Sequence, residues 1–105
     1  MKPNKLDEDI AQHVMKWKKS GEQWIDEEGK SVEIKPFSTD LNATWEVVDK
    51  VCDYGFRLQL AGSRIWQARF YKSASHTLDT QAFQVTKNNP AEAICVAALS
   101  ISGKT

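Results

Sequence analysis

Arginine beside tyrosine can grip a phosphate and stack a base, and this chain sets both residue types at strand spacing. Arg57 and Gln59 alternate with Phe56, Leu58 and Leu60, and Gln67, Arg69 and Tyr71 alternate with Trp66, Ala68 and Phe70. Successive side chains of a strand point to opposite faces, so Arg57, Gln67, Arg69 and Tyr71 are expected on one face of one sheet. A guanidinium holds a phosphate through two parallel hydrogen bonds, which an ammonium does not reproduce. An aromatic ring offers its face to a base or a cation, and an amide such as Gln67 can read a base edge. These four residues, with Trp24 at the start of an early hairpin, are the candidate binding residues for a small anionic nucleotide-type ligand. The plainer reading of the same residues is cross-strand pairing on a solvated face, or a face underlying the first helix.

Other chemistry is scarce. His13 falls on a helix and His76 in the polar run Ser73-Ala74-Ser75-His76-Thr77, where a serine adjacent in sequence makes no dyad without spatial convergence. The glycines at 21, 29, 55, 62 and 103 are scattered and form no phosphate loop. Asp7-Glu8-Asp9 and Asp26-Glu27-Glu28 read as a helix start and a solvated turn rather than a metal site. Cys52 and Cys95 lie in separate helical segments with no zinc spacing and are expected as buried, reduced thiols. The expectation is a chain with no catalytic residues, no metal and no cofactor.

At 105 residues the chain is expected to form a single domain over 1–105. Lys plus Arg equals Asp plus Glu, so the net charge is zero, which speaks against a general nucleic-acid binder. No signal-peptide pattern and no apolar stretch approaching the roughly 20 residues of a membrane span is present, so a cytoplasmic location is expected.

The elements that would position the candidate site follow from periodicity. Leu6, Ile10, Val14 and Trp17 predict a first helix over 6–18, stopped by Ser20-Gly21. Gln23–Asp26 and Lys30–Ile34 predict a hairpin around Gly29. Ser38, Thr39 and Asp40 compete to cap a second helix whose apolar stripe is Leu41, Trp45, Val48 and Cys52, widened by Val47 and Val51, and Gly55 ends it. Three strands follow at 56–60, 64–71 and 81–86, and Pro90 opens a last helix at its first position. The core is expected to unite Trp45, Val48, Leu58, Trp66, Phe70, Phe83, Ile94 and Leu99. The fold class is therefore α+β, an α-β-β-α-β-β-β-α sandwich with an antiparallel sheet packed by helices. Its open edges lead to the expectation of a homo-oligomer, most simply a dimer.

The runs Val14-Met15-Lys16-Trp17, Phe37-Ser38-Thr39-Asp40, Trp45-Glu46-Val47-Val48 and Pro90-Ala91-Glu92-Ala93-Ile94-Cys95 resemble the phage ABA-sandwich domain family, small proteins of phages and prophages of Bacillus-type hosts. The resemblance covers most of the chain and carries no catalytic residues. It implies a phage-encoded accessory protein of the host cytoplasm, compatible with action against host antiviral defence. With the Arg/Gln/Tyr face, the leading expectation is sequestration of a nucleotide-type immune signal. The alternatives are a protein-interaction module that inhibits a host or phage protein, using Trp24 and the first helix, and a nucleotide hydrolase. The order of the second helix, three strands and last helix also matches a double-stranded-RNA-binding domain. The last helix here opens on Pro90-Ala91-Glu92-Ala93, without the cations such a module needs.

Overall fold

The computed structural model describes residues 4–62, 64–73 and 80–102; His76 and the end of the tail lie outside them. Asn4 starts α1 (Lys5–Asp9) through a reciprocal cap: Asp7 N–H donates to Asn4 Oδ1 at 2.9 Å, and Asn4 N–H donates to Asp7 Oδ2 at 3.0 Å. The helix then widens into a π turn over Ile10–Val14, with Met15 N–H donating to the Ile10 carbonyl. It stops there because Lys16 takes φ 63, a left-handed conformation that a side chain disfavours.

The predicted helix over 6–18 is therefore too long. Its last residues instead start β1 (Lys18–Ser20), and Gly21 at φ 62 turns the chain into β2 (Gln23–Ile25). β3 (Ser31–Val32) completes a small antiparallel sheet in the order β1-β2-β3. Asp26 Oδ1 accepts from the Glu28 and Lys30 N–H groups, and Gly29 takes φ 85, which builds the predicted turn between β2 and β3.

Asp40 wins the competition to cap α2 (Leu41–Asp53) by accepting from Asn42 N–H at 3.0 Å, and Gly55 at φ 95 follows its end. β4 (Arg57–Gly62), β5 (Trp66–Ser73) and β6 (Thr80–Lys87) form the main antiparallel sheet in that order, and α3 (Pro90–Ser102) follows. The last helix lies on β5 and β6, with α2 and the π turn against its other side. The architecture is the expected α+β sandwich with one more strand, β1, than the sequence pattern indicated.

One core runs from the π turn through α2 and α3 to the sheet and includes Val48, Phe70, Ile94 and Leu99, as expected. Leu58 and Phe83 are half-buried against it, and Trp66 is half-buried at the end of the sheet. Trp45 departs from the prediction: it is 45% exposed. The helix turns Ala43, Thr44, Val47, Val48 and Val51 inward instead. Thr44 makes this rotation affordable, because its hydroxyl donates to the Phe37 carbonyl at 2.5 Å and is also 3.0 Å from the Asp40 carbonyl. Cys52 is correspondingly exposed rather than buried, while Cys95 is buried, and both are free thiols.

Three measurements follow. Phe70→Ala should cost about 3–5 kcal/mol in denaturant unfolding, the range for deleting a large core aromatic, whereas Trp45→Ala should cost under about 1 kcal/mol. Asp7→Ala removes a buried acceptor from Ser38 N–H at 2.8 Å and should cost about 1–3 kcal/mol in the same assay. Thiol labelling of the folded protein should modify Cys52 alone, with Cys95 reacting only after unfolding. Burial, then the Asp7 and Glu92 carboxylates, push the Cys95 thiol well above its ordinary pKa, so little thiolate forms even where reagent could reach it.

Candidate functional site

Strand register settles which side chains share the open face. Arg57 pairs across from Tyr71, Gln59 from Arg69, and Ala61 from Gln67. On the other side of β5, Tyr71 pairs with Ala82, Arg69 with Gln84, and Gln67 with Thr86. Leu58, Leu60, Ala68, Phe70, Phe83 and Val85 occupy the opposite face, under α2 and α3. Arg57, Gln59, Gln67 and Gln84 are exposed, and Arg69 and Tyr71 half-buried. The first helix does not cover this face: α1 and its π turn pack on α3 and α2, on the far side of the sheet.

Arg69 is held in place by two neighbours. Its Nη1 donates to Gln59 Oε1 at 3.0 Å, and its guanidinium carbon stands 5.2 Å from the Tyr71 ring centroid. A planar cation lying over an aromatic ring keeps its remaining N–H groups pointing outward. A shallow depression of about 410 Å³ adjoins it, lined by Gln59, Leu60, Ala61, Gln67 and Arg69. A second, of about 380 Å³, lies at the other end of the same strands between Gly55, Arg57, Tyr71 and Lys72. Lys72 Nζ there donates to the Tyr54 carbonyl at 3.3 Å and lies 5.7 Å from the Phe56 ring centroid.

The electrostatics of this face differ from those elsewhere. The ion pairs among the described residues use Lys5, Lys19, Lys30, Lys35, Lys50 and Lys87. None of them uses an arginine. All three arginines of the chain, Arg57, Arg64 and Arg69, fall between residues 57 and 69, and the only carboxylate from 54 to 91 is Asp79. The zero net charge thus conceals a cationic sheet and an acidic remainder, an asymmetry the total masked. Gln59 joins the candidate residues, on the face where the period-two pattern placed it; Lys72, one residue after Tyr71, alternates to the helix side, where it meets Tyr54 and Phe56.

Trp24 stands apart. It belongs to the small sheet, is only 6% exposed, and has Lys19 Nζ at 5.9 Å from its ring centroid. The depression beside it, about 840 Å³, is lined by Glu8, Glu22 and Glu33 with Lys19, an unfavourable surface for an anion. His13 lies on the π turn and lines a 230 Å³ pocket with Tyr54 and Lys16, away from the arginines. Among the described residues no three metal-type side chains converge, and no helix is long and apolar enough to cross a membrane.

Comparison with known proteins agrees with this architecture. No curated protein matches the sequence. A 2.0 Å crystal structure of a phage protein from Bacillus cereus ATCC 14579 is similar in fold, with a TM-score of 0.70 and 19% identity, over 94% of this chain and 90% of that one. The model of the phage ABA sandwich domain matches residues 8–99. The chain belongs to the phage ABA sandwich domain family.

Proposed function

We propose that this phage-family protein is a non-enzymatic binder that holds a nucleotide-type anion on the open face of β4, β5 and β6. In an infected host it would act in the cytoplasm, withdrawing such a signal from an antiviral response. The observation that carries the reading is the pair Arg57 and Arg69, which take no carboxylate partner among the described residues, Arg57 lying across the strand from Tyr71 and Arg69 over its ring. As diagonal neighbours on paired strands their backbones stand roughly 7–8 Å apart, close enough for both to reach one phosphate or two linked ones. Two adjacent guanidinium groups repel each other, and a bound phosphate relieves that repulsion. Tyr71 supplies a stacking surface, and the exposed amides of Gln59 and Gln67 supply donors and acceptors for a base edge.

A second reading has its own observation. Leu41 and Trp45, one turn apart on α2, are 37% and 45% exposed, which suits contact with a protein partner. This apolar pair replaces Trp24, whose burial removes it from such a role.

One experiment separates the readings. The protein is incubated with a panel of nucleotides and nucleotide-derived signals, freed of unbound material, heated, and the released material is chromatographed. An intact retained nucleotide supports the binder, and an altered one means a hydrolase. No retention overturns the proposal and favours the α2 contact. Arg69→Ala should abolish retention while lowering the melting temperature only slightly, because it removes one exposed hydrogen bond and one ring contact, worth about 1 kcal/mol together. Retention by that variant would place the ligand elsewhere.

A further inference from the structure

We propose that two copies of this chain join along their β6 edges, making one six-stranded sheet whose open face carries the Arg69 and Tyr71 of both copies. β6 is hydrogen-bonded to β5 on one side, and among the described residues the other element packed on it is α3, which covers a face and not the edge. From Thr80 through Thr86 the strand holds no charged residue, no proline and no glycine. That stretch lacks the charges, prolines and breaks by which monomeric proteins discourage pairing at an exposed edge; the one charge of β6, Lys87 at its end, lies 4.0 Å from Glu92. The opposite edge, β4, is shorter and begins at the cationic Arg57.

The edge is also self-complementary. A two-fold axis normal to the sheet keeps the helices of both copies on one side, so only residues of like face can oppose each other. With the axis at Gln84, the two Gln84 side chains face one another on the open side and Ala82 meets the second copy's Thr86. On the core side, Phe83 meets the second copy's Val85. Phe83 and Val85 are half-buried in the single chain, whereas their partners on β5, Phe70 and Ala68, are fully buried. Pairing completes the burial that the single sheet leaves unfinished.

The consequence for the open face is a continuous polar row: Gln59, Arg69 and Gln84, then the same residues of the second copy in reverse order. The two Arg69 positions are then three strand spacings apart, about 14 Å. Such a site suits a ligand with anionic groups at both ends, and this consequence rests on the binding reading above. The pairing itself is tested without ligand, so its failure and the failure of that reading are distinguishable.

Light scattering of the purified protein at micromolar concentration should give about twice the 11.9 kDa chain mass. Gln84→Lys sets two like charges against each other at the axis and should return the 11.9 kDa species with an unchanged circular dichroism spectrum. In a Cys52→Ser background, Gln84→Cys should form a disulfide-linked dimer on mild oxidation. Opposed antiparallel positions lie about 4.5–5.5 Å apart at Cα, inside the usual disulfide range. Gln59→Cys in the same background, on the other edge strand, should stay uncrosslinked. A wild-type protein that is only monomeric overturns the proposal. So does a dimer that survives Gln84→Lys, or one that links through Gln59→Cys and not through Gln84→Cys.

Discussion

Everything in this fold is arranged around the burial of α3. Ala91, Ala93, Ile94, Cys95, Ala97, Ala98 and Leu99 are all buried, so the helix is apolar around most of its circumference and must be enclosed. β5 and β6 take one side, and α2 and the π turn take the other. Small side chains at 91, 93, 97 and 98 let these neighbours approach closely, while Ile94 and Leu99 fill the space between them. Because the last helix and α2 both lie on one face of the main sheet, the opposite face has no packed element among the described residues. Its polar character is the local answer to that constraint.

The first helix is the weakest element by itself. A few residues of α-helix followed by a π turn are too short to be stable alone. Asp7 supplies the missing anchorage. It is a buried carboxylate, and its two oxygens accept from Asn4 N–H and Ser38 N–H, while Asn4 Nδ2 donates to Ser38 Oγ at 3.0 Å. A buried charge is tolerable only with such bonds. The clasp holds the segment before α2 against the first helix, beside the contact of Trp17 with Phe37 at 5.9 Å between ring centroids. Local cap chemistry and tertiary closure are here one set of hydrogen bonds.

Charge is divided unevenly between the two halves of the molecule. Lysines make ion pairs with nearby carboxylates on the helices and small sheet, interactions worth little in water. The arginines are concentrated on one hairpin of the main sheet, where Arg69 is oriented by Gln59 and Tyr71 rather than neutralised. Orientation without neutralisation is what an anion-binding surface requires, since the ligand then needs to displace no carboxylate.

The sequence by itself determined the features that rest on local physics. Alternation placed Arg57, Gln67, Arg69 and Tyr71 on one face because a strand has a period of two whatever packs on it. Gly29 and Gly55 marked a turn and a helix end because those backbone angles are open to glycine. Pro90 marked a helix start because the first position needs no N–H. Tertiary structure decided the rest. The rotation of α2, which exposes Trp45 and buries Thr44, depends on a carbonyl of Phe37 that periodicity does not reveal. The early end of the first helix depends on a left-handed Lys16, a conformation that no propensity favours and that accompanies Trp17 packing on Phe37. Which face of the main sheet stays open depended on where the first helix went. That was set by the surface α3 still had to cover, a long-range requirement that no short stretch of residues records.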